Sequence, residues 1–126
     1  MNSNEIDRFK FSFRNALKGI QTAYRTQSNL RIHLFIAFIV IITAILLKTS
    51  YLEGLVLILT IMLVIVAELF NTAIEFTVDL FSPDFSHQAK KAKDVSAAGV
   101  LVTSFLAILI GLIIFIPKVF RLIFYK

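Results

Sequence analysis

Apolar residues fall along this chain in two different rhythms. Near the start, Phe9, Phe13, Leu17, Ile20 and Tyr24 recur at spacings of three and four, with Arg8, Lys10, Arg14, Lys18 and Arg25 largely between them. That period predicts an amphipathic helix over residues 5–27, with an apolar face and a cationic one. Such a helix suits a membrane interface or a place against its own bundle. Further on the rhythm gives way to continuous apolar runs. Leu34–Leu47 is apolar except for Thr43 and, with its flanks, reaches spanning length over about 29–48. The run beginning at Gly54 continues through Glu68 to about Ile74, and Ala97–Ile116 carries no charge before Pro117. A bilayer crossing takes about 20 residues at about 1.5 Å each. The expectation is therefore an all-α integral membrane protein, one domain over 1–126, with three transmembrane helices at about 29–48, 54–74 and 97–116.

The turns between the runs are legible too. Ser82-Pro83-Asp84 is the clearest turn signal, and Ser86 stands where it can cap a helix running from His87 into the third span. Ala92, Ser96, Ala97, Ala98 and Gly99 are small enough to allow close helix contact in lipid. The first run starts late, lacks a small-residue cleavage site and is followed by two more, so it reads as a retained span and not a signal peptide.

Composition sharpens this picture. Of the 126 residues, 58% are hydrophobic, and the mean hydropathy is +0.85, more apolar surface than a soluble domain of this size can hide. Cysteine is absent and only two histidines occur, which excludes disulfides, thiol chemistry and a zinc cluster. The formal net charge is +5. Arg8, Lys10, Arg14, Lys18, Arg25 and Arg31 precede the first run, and Lys90, Lys91 and Lys93 lie between the second and third. Lys48, Lys118, Arg121 and Lys126 fall on the other side. The positive-inside rule then makes the N-terminus and the 80s–90s loop cytoplasmic. Anionic lipid headgroups account for the basic arm, and no nucleic acid is expected as a partner.

Candidate chemistry lies at the end of the second run. Glu68, Asn71, Glu75 and Asp79 are spaced i, i+3, i+7 and i+11, one polar stripe on a helix that is otherwise apolar. A carboxylate at mid-membrane costs about 2.5–3.5 kcal/mol on the insertion scale, and such residues are functional candidates by default. The 14 residues Gly54–Ala67 rise roughly 21 Å, placing Glu68 in the inner third of a hydrocarbon layer about 30 Å thick. Glu75 then reaches the headgroups. A second cluster, A89-K90-K91-A92-K93-D94, is either a positive-inside anchor or a phosphate-binding set, with Lys90 and Asp94 at pairing distance i, i+4. Phosphoryl transfer needs cations for phosphates, carboxylates for Mg²⁺ and an acceptor for the alcohol proton, and Glu68 to Asp94 contains all three. Glycines at 19, 54, 99 and 111 form neither a Walker loop nor a G-x-G-x-x-G loop. His33 and His87 read as interfacial hydrogen-bonding residues.

A-E-L-F-N-T-A-I-E-F-T-V-D followed by H-Q-A-K-K-A-K-D-V-S-A-A-G-V-L resembles the prokaryotic diacylglycerol kinase/undecaprenol kinase family, and the resemblance runs from Lys18-Gly19 and N-L-R-I-H to the third span. It implies a homotrimeric membrane lipid kinase of the bacterial cytoplasmic membrane, with ATP as co-substrate and Mg²⁺ as cofactor. Glu68 matches the general base and Glu75 a Mg²⁺ and nucleotide ligand. Asn71 lies between them and orients the base or the substrate; Glu68, Asn71 and Ser96 fall to the lipid substrate, and Gln27, Lys90, Lys93 and Asp94, with Glu75, to the nucleotide. Where many members carry a second metal-binding Glu, this chain has Gln27, which offers a carbonyl oxygen without charge. R-I-H together with H-x-A-K-x-A-K-D looks more like the undecaprenol kinase branch than the diacylglycerol kinase branch. The competing readings are a membrane scaffold using the stripe for helix association, and a small transporter with Glu68 as proton carrier.

Overall fold

The computed structural model describes residues 2–82, 84 and 86–124. Four helices follow one another: α1 (Ser3–Thr26), α2 (Ser28–Leu46), α3 (Tyr51–Phe81) and α4 (His87–Phe124). No strand occurs among the described residues. Three of the helices, α2, α3 and α4, are long and apolar enough to cross a membrane. The chain is an all-α membrane protein.

Helix α1 begins with a capping box, in which the Asn2 N–H donates to Glu5 Oε2 at 2.9 Å. Its apolar face is not covered by the rest of the chain: Phe9, Phe13, Leu17, Ile20 and Tyr24 are all exposed. Only its last turns meet the bundle, where Ala23 is buried. The exposed apolar face is what an interfacial helix presents to lipid. At Gln27 the backbone becomes extended (φ −103°, ψ 115°), ending α1 and starting α2. Arg31 secures this bend from the far side, its Nη1 donating to the Tyr24 and Arg25 carbonyls that α1 leaves open.

Helix α2 ends in a left-handed cap at Lys48 (φ 47°), with Thr49 N–H bonded to Ala44 O and Lys48 N–H to Ile45 O. This is the Schellman arrangement, with lysine where glycine is usual. Helix α3 opens with a second capping box between Ser50 and Glu53, and Glu53 also pairs with Lys118 of α4 at 2.8 Å. Helices α3 and α4 make the most extensive pair, and α2 leans on α3.

The uncharged third run reaches Pro117, and its helix extends beyond it: α4 continues to Phe124. Proline removes one backbone bond and the helix carries on, placing Lys118 beside Glu53. Of the small residues of α4, Ala92, Ala97, Ala98 and Gly99 are not buried within the chain, whereas Ser96 faces α3 together with Lys93 and the buried Val100, at i, i+3 and i+7. Polar contacts to the α3 stripe fix that rotation. In the turn at Ser82-Pro83-Asp84, Pro83 lies outside the described residues, as does Lys126 among the cations. The Ser82 N–H closes α3 on the Val78 carbonyl. After it α4 starts at His87, the Ser86 carbonyl accepting from the Lys90 N–H at 2.9 Å.

Candidate active site

Helix α3 is 31 residues long, about 46 Å, which exceeds the hydrocarbon layer by several turns. Its polar stripe therefore runs from inside the apolar bundle out to its Asp79 end. The deep end is the most buried: Glu68 is 1% exposed, Asn71 4% and Thr72 3%. Glu75 is half-buried and Asp79 exposed.

Hydrogen bonds tie the middle of the stripe to its neighbours. Gln27 Nε2 donates to Glu75 Oε2 at 2.9 Å, across 48 residues of sequence. Asn71 Nδ2 donates to the other oxygen, Oε1, at 3.2 Å. Ser96 of α4 donates its hydroxyl to Asn71 Oδ1 at 2.6 Å. A continuous row, Gln27–Glu75–Asn71–Ser96, thus links the α1–α2 bend, α3 and α4. Every one of these residues is a candidate from the sequence, and the fold brings them together.

Glu68 stands apart from that row. Neither of its carboxylate oxygens has a hydrogen-bond partner, although both are buried. Thr72 bonds to its backbone carbonyl, not to its side chain. A buried polar atom without a partner is unusual and costly, and Glu68 carries two.

The cationic cluster lies at the exposed end. Lys93 reaches back to Asp79 of α3, Nζ to Oδ1 at 2.5 Å, and Lys90 pairs with Asp94 one turn on at 2.5 Å. Both pairs are solvent-facing, and such exposed ion pairs contribute little to stability, so they part readily for a ligand. Lys93 and Asp79 show what the sequence reading did not assign. Asp79 was visible as the fourth member of the stripe, but its partner, 14 residues away around the turn, was not.

Among the described residues no group of three His, Cys, Asp or Glu side chains converges as a metal cage. Mg²⁺, however, usually takes one or two carboxylates and fills its remaining positions with water and phosphate oxygens. Glu75 supplies such a carboxylate, and the amide bonded to it carries an oxygen as well as its N–H. The residues present fit a phosphate-bound Mg²⁺ and not a self-sufficient protein cage.

A family model for prokaryotic diacylglycerol kinase matches residues 14–115, a stretch that includes every residue of the row, Glu68 and the cationic cluster. The chain belongs to the prokaryotic diacylglycerol kinase family. It is thereby a lipid kinase. Among individual relatives, it is 41% identical to the undecaprenol kinase of Bacillus subtilis over 115 residues, covering 91% of this chain and 94% of that protein. It is also 41% identical to a diacylglycerol kinase of Synechocystis over 112 residues, covering 88% of this chain and 64% of the other. With the diacylglycerol kinase of Escherichia coli K12 the identity is 27% over 92 residues, 73% of this chain and 75% of that one.

Proposed function

We propose that this protein transfers the γ-phosphoryl group of ATP to the hydroxyl of a membrane lipid alcohol at the cytoplasmic surface, with undecaprenol preferred over diacylglycerol. The single observation that carries the reading is the division of the α3 stripe. A buried, unpartnered carboxylate at Glu68 lies two turns below a hydrogen-bonded, half-buried one at Glu75. One lies enclosed among the apolar spans and the other reaches toward the aqueous side. A lipid hydroxyl and a soluble nucleotide are the reactants that need both.

Glu68 accepts the hydroxyl proton, so that the oxygen attacks the γ-phosphorus as ADP leaves. Its unpaired oxygens leave it free to do so. Asn71, held by Ser96 on one side and bonded to Glu75 on the other, orients the lipid headgroup between the two carboxylates. Glu75, with the Gln27 carbonyl beside it, would hold Mg²⁺, which neutralises charge on the β- and γ-phosphate oxygens. Lys93 and Lys90 exchange their carboxylate partners for phosphate oxygens, and Asp94 remains beside the nucleotide.

The cytoplasmic assignment follows from charge. The cations of α1 and of the α3–α4 connection lie on the side where Glu75 emerges, which supports a bacterial cytoplasmic membrane with the N-terminus inside. Residues 1–126 act as one kinase domain. A homotrimer fits the small, exposed face of Ala97, Ala98 and Gly99, which a second copy can approach closely. The undecaprenol preference is supported by the 41% identity to an undecaprenol kinase over nearly the whole of both chains. The match to a lipid kinase family favours this reading over a scaffold or a transporter.

The test is purified protein in lipid micelles with γ-labelled ATP and, separately, undecaprenol and diacylglycerol. Label should appear in lipid with both, at higher kcat/KM for undecaprenol. Absence of labelled lipid with both would overturn the assignment, and a tenfold preference for diacylglycerol would reverse the order.

A further inference from the structure

A base must be oriented, and it must lose the proton it takes up. Nothing on its own helix does either for the Glu68 carboxylate. Asn71 is engaged by Glu75 and Ser96, and the Thr72 hydroxyl by a backbone carbonyl. Helix α2 offers the missing group. It runs antiparallel to α3, and the Gln27–Glu75 bond fixes their register. From Glu75 back to Glu68 is a descent of about 10 Å, and from Gln27 to His33 about 9 Å. His33 is therefore level with Glu68. On α2 it shares a face with Leu30 and Ala37, which are 1% and 8% exposed, and it is itself half-buried. It lines the end of an intramembrane cavity of about 350 Å³, together with Val64 and Ile65 from the turn preceding Glu68. It also lies within electrostatic reach of the Glu68 carboxylate.

We propose that His33 is the positioning and proton-relay partner of Glu68. This rests on Glu68 serving as the base in lipid phosphorylation. In the working enzyme one ring N–H donates to the carboxylate and aims it at the lipid hydroxyl. During transfer the hydroxyl O–H bond breaks, its oxygen bonds to the γ-phosphorus, the bond to ADP breaks and the proton resides on Glu68. With the ring turned so that its bare nitrogen meets Glu68, the imidazole takes that proton. It releases the one on its other nitrogen to water on the cytoplasmic side. Carboxylate and neutral imidazole are restored, and the new N–H again faces Glu68. Imidazole suits this role because its two nitrogens accept and release protons at neutral pH.

The experiment uses whole protein in lipid micelles with ¹⁵N in its histidine rings. Glu68→Gln should move the His33 ring signals and leave those of His87 in place. In parallel, His33→Ala should lower kcat by about tenfold or more while KM for lipid and for ATP stays within about twofold, and added imidazole should restore part of the rate. His33→Gln, which can donate a hydrogen bond but cannot carry a proton, should remain slow. The proposal is overturned if the His33 signals are the same in wild type and in Glu68→Gln, or if His33→Gln turns over like wild type. Should His33→Ala fail to fold, the ring signals and His33→Gln still decide. Wild-type protein that labels no lipid would instead refute the kinase reading, a result separate from the pairing read in the spectra.

Discussion

Replacing Gln27 by Glu changes one atom type at the point where three helices meet, and its consequences differ with and without Mg²⁺. In the resting chain the Gln27 amide donates to Glu75 Oε2 at 2.9 Å. A glutamate there would set two carboxylates against each other. Two like charges about 4 Å apart at an effective dielectric of about 20 repel by about 4 kcal/mol. Glu75 is half-buried and the new side chain can turn aside, so solvent removes much of this. About 1–2 kcal/mol should remain. Without Mg²⁺, Gln27→Glu should therefore unfold at lower temperature than wild type. With Mg²⁺ the sign reverses, because the cation relieves the repulsion and gains a charged ligand. The same 1–2 kcal/mol corresponds to about a 5–30-fold fall in the Mg²⁺ concentration for half-maximal rate. The assay is lipid phosphorylation against free Mg²⁺ at fixed ATP, paired with thermal unfolding in chelator. Gln27→Ala should be slightly destabilised in chelator, since Glu75 loses one of its two donors, and should need somewhat more Mg²⁺. Coincident Mg²⁺ curves for the three proteins, with equal stability in chelator, would refute the placement of residue 27 in the metal shell.

Glu68→Gln should fold and assemble normally yet lose about 10²–10⁴-fold in lipid phosphorylation, because the amide accepts no proton. Wild-type turnover would remove Glu68 as base. Glu75→Gln should raise the Mg²⁺ requirement with little change in the apparent affinity for lipid, and the opposite pattern would place Glu75 on the substrate side. At the other end of the bundle, Lys48→Gly should stabilise the fold by about 0.5–1 kcal/mol, since glycine adopts the left-handed conformation of that cap without strain. Equal or lower stability by reversible unfolding in micelles would contradict the cap geometry.

The helices were legible in the sequence because each obeys a single rule. Continuous apolar runs must span, and a three-four rhythm must be amphipathic. The stripe was legible for the same reason, since Glu68, Asn71, Glu75 and Asp79 repeat with the helical period. What the sequence could not supply was the rotation of one helix against another. The small residues from Ala92 to Gly99 allowed close contact without saying which face of α4 would meet α3, and Ser96 and Lys93 set that face through Asn71 and Asp79. The reach of α4 past Pro117 was not legible either. A proline costs a helix one internal bond, and here the chain continues helical through it to bring Lys118 to Glu53.

The least legible residue, His33, shows how much a single long-range contact adds. By itself it is one histidine at the edge of an apolar run, and the N-L-R-I-H motif that ends on it says nothing of what it faces. Once Gln27 is bonded to Glu75, every residue of α2 acquires a depth relative to α3, and only then does His33 come level with the buried carboxylate. Gln27 thus does two separate things. Its backbone turns the interfacial helix into the first span, and its side chain sets the register that the deeper pair depends on. These two functions make a coupling prediction. Shifting that bend by inserting one alanine between Gln27 and Ser28 should rotate α2 by about 100° and carry His33 off the α3 face. The loss in kcat should then match that of His33→Ala, and adding His33→Ala to the insertion should cost nothing more. If the two losses multiply instead, His33 does not act through its alignment with Glu68, and the register argument fails.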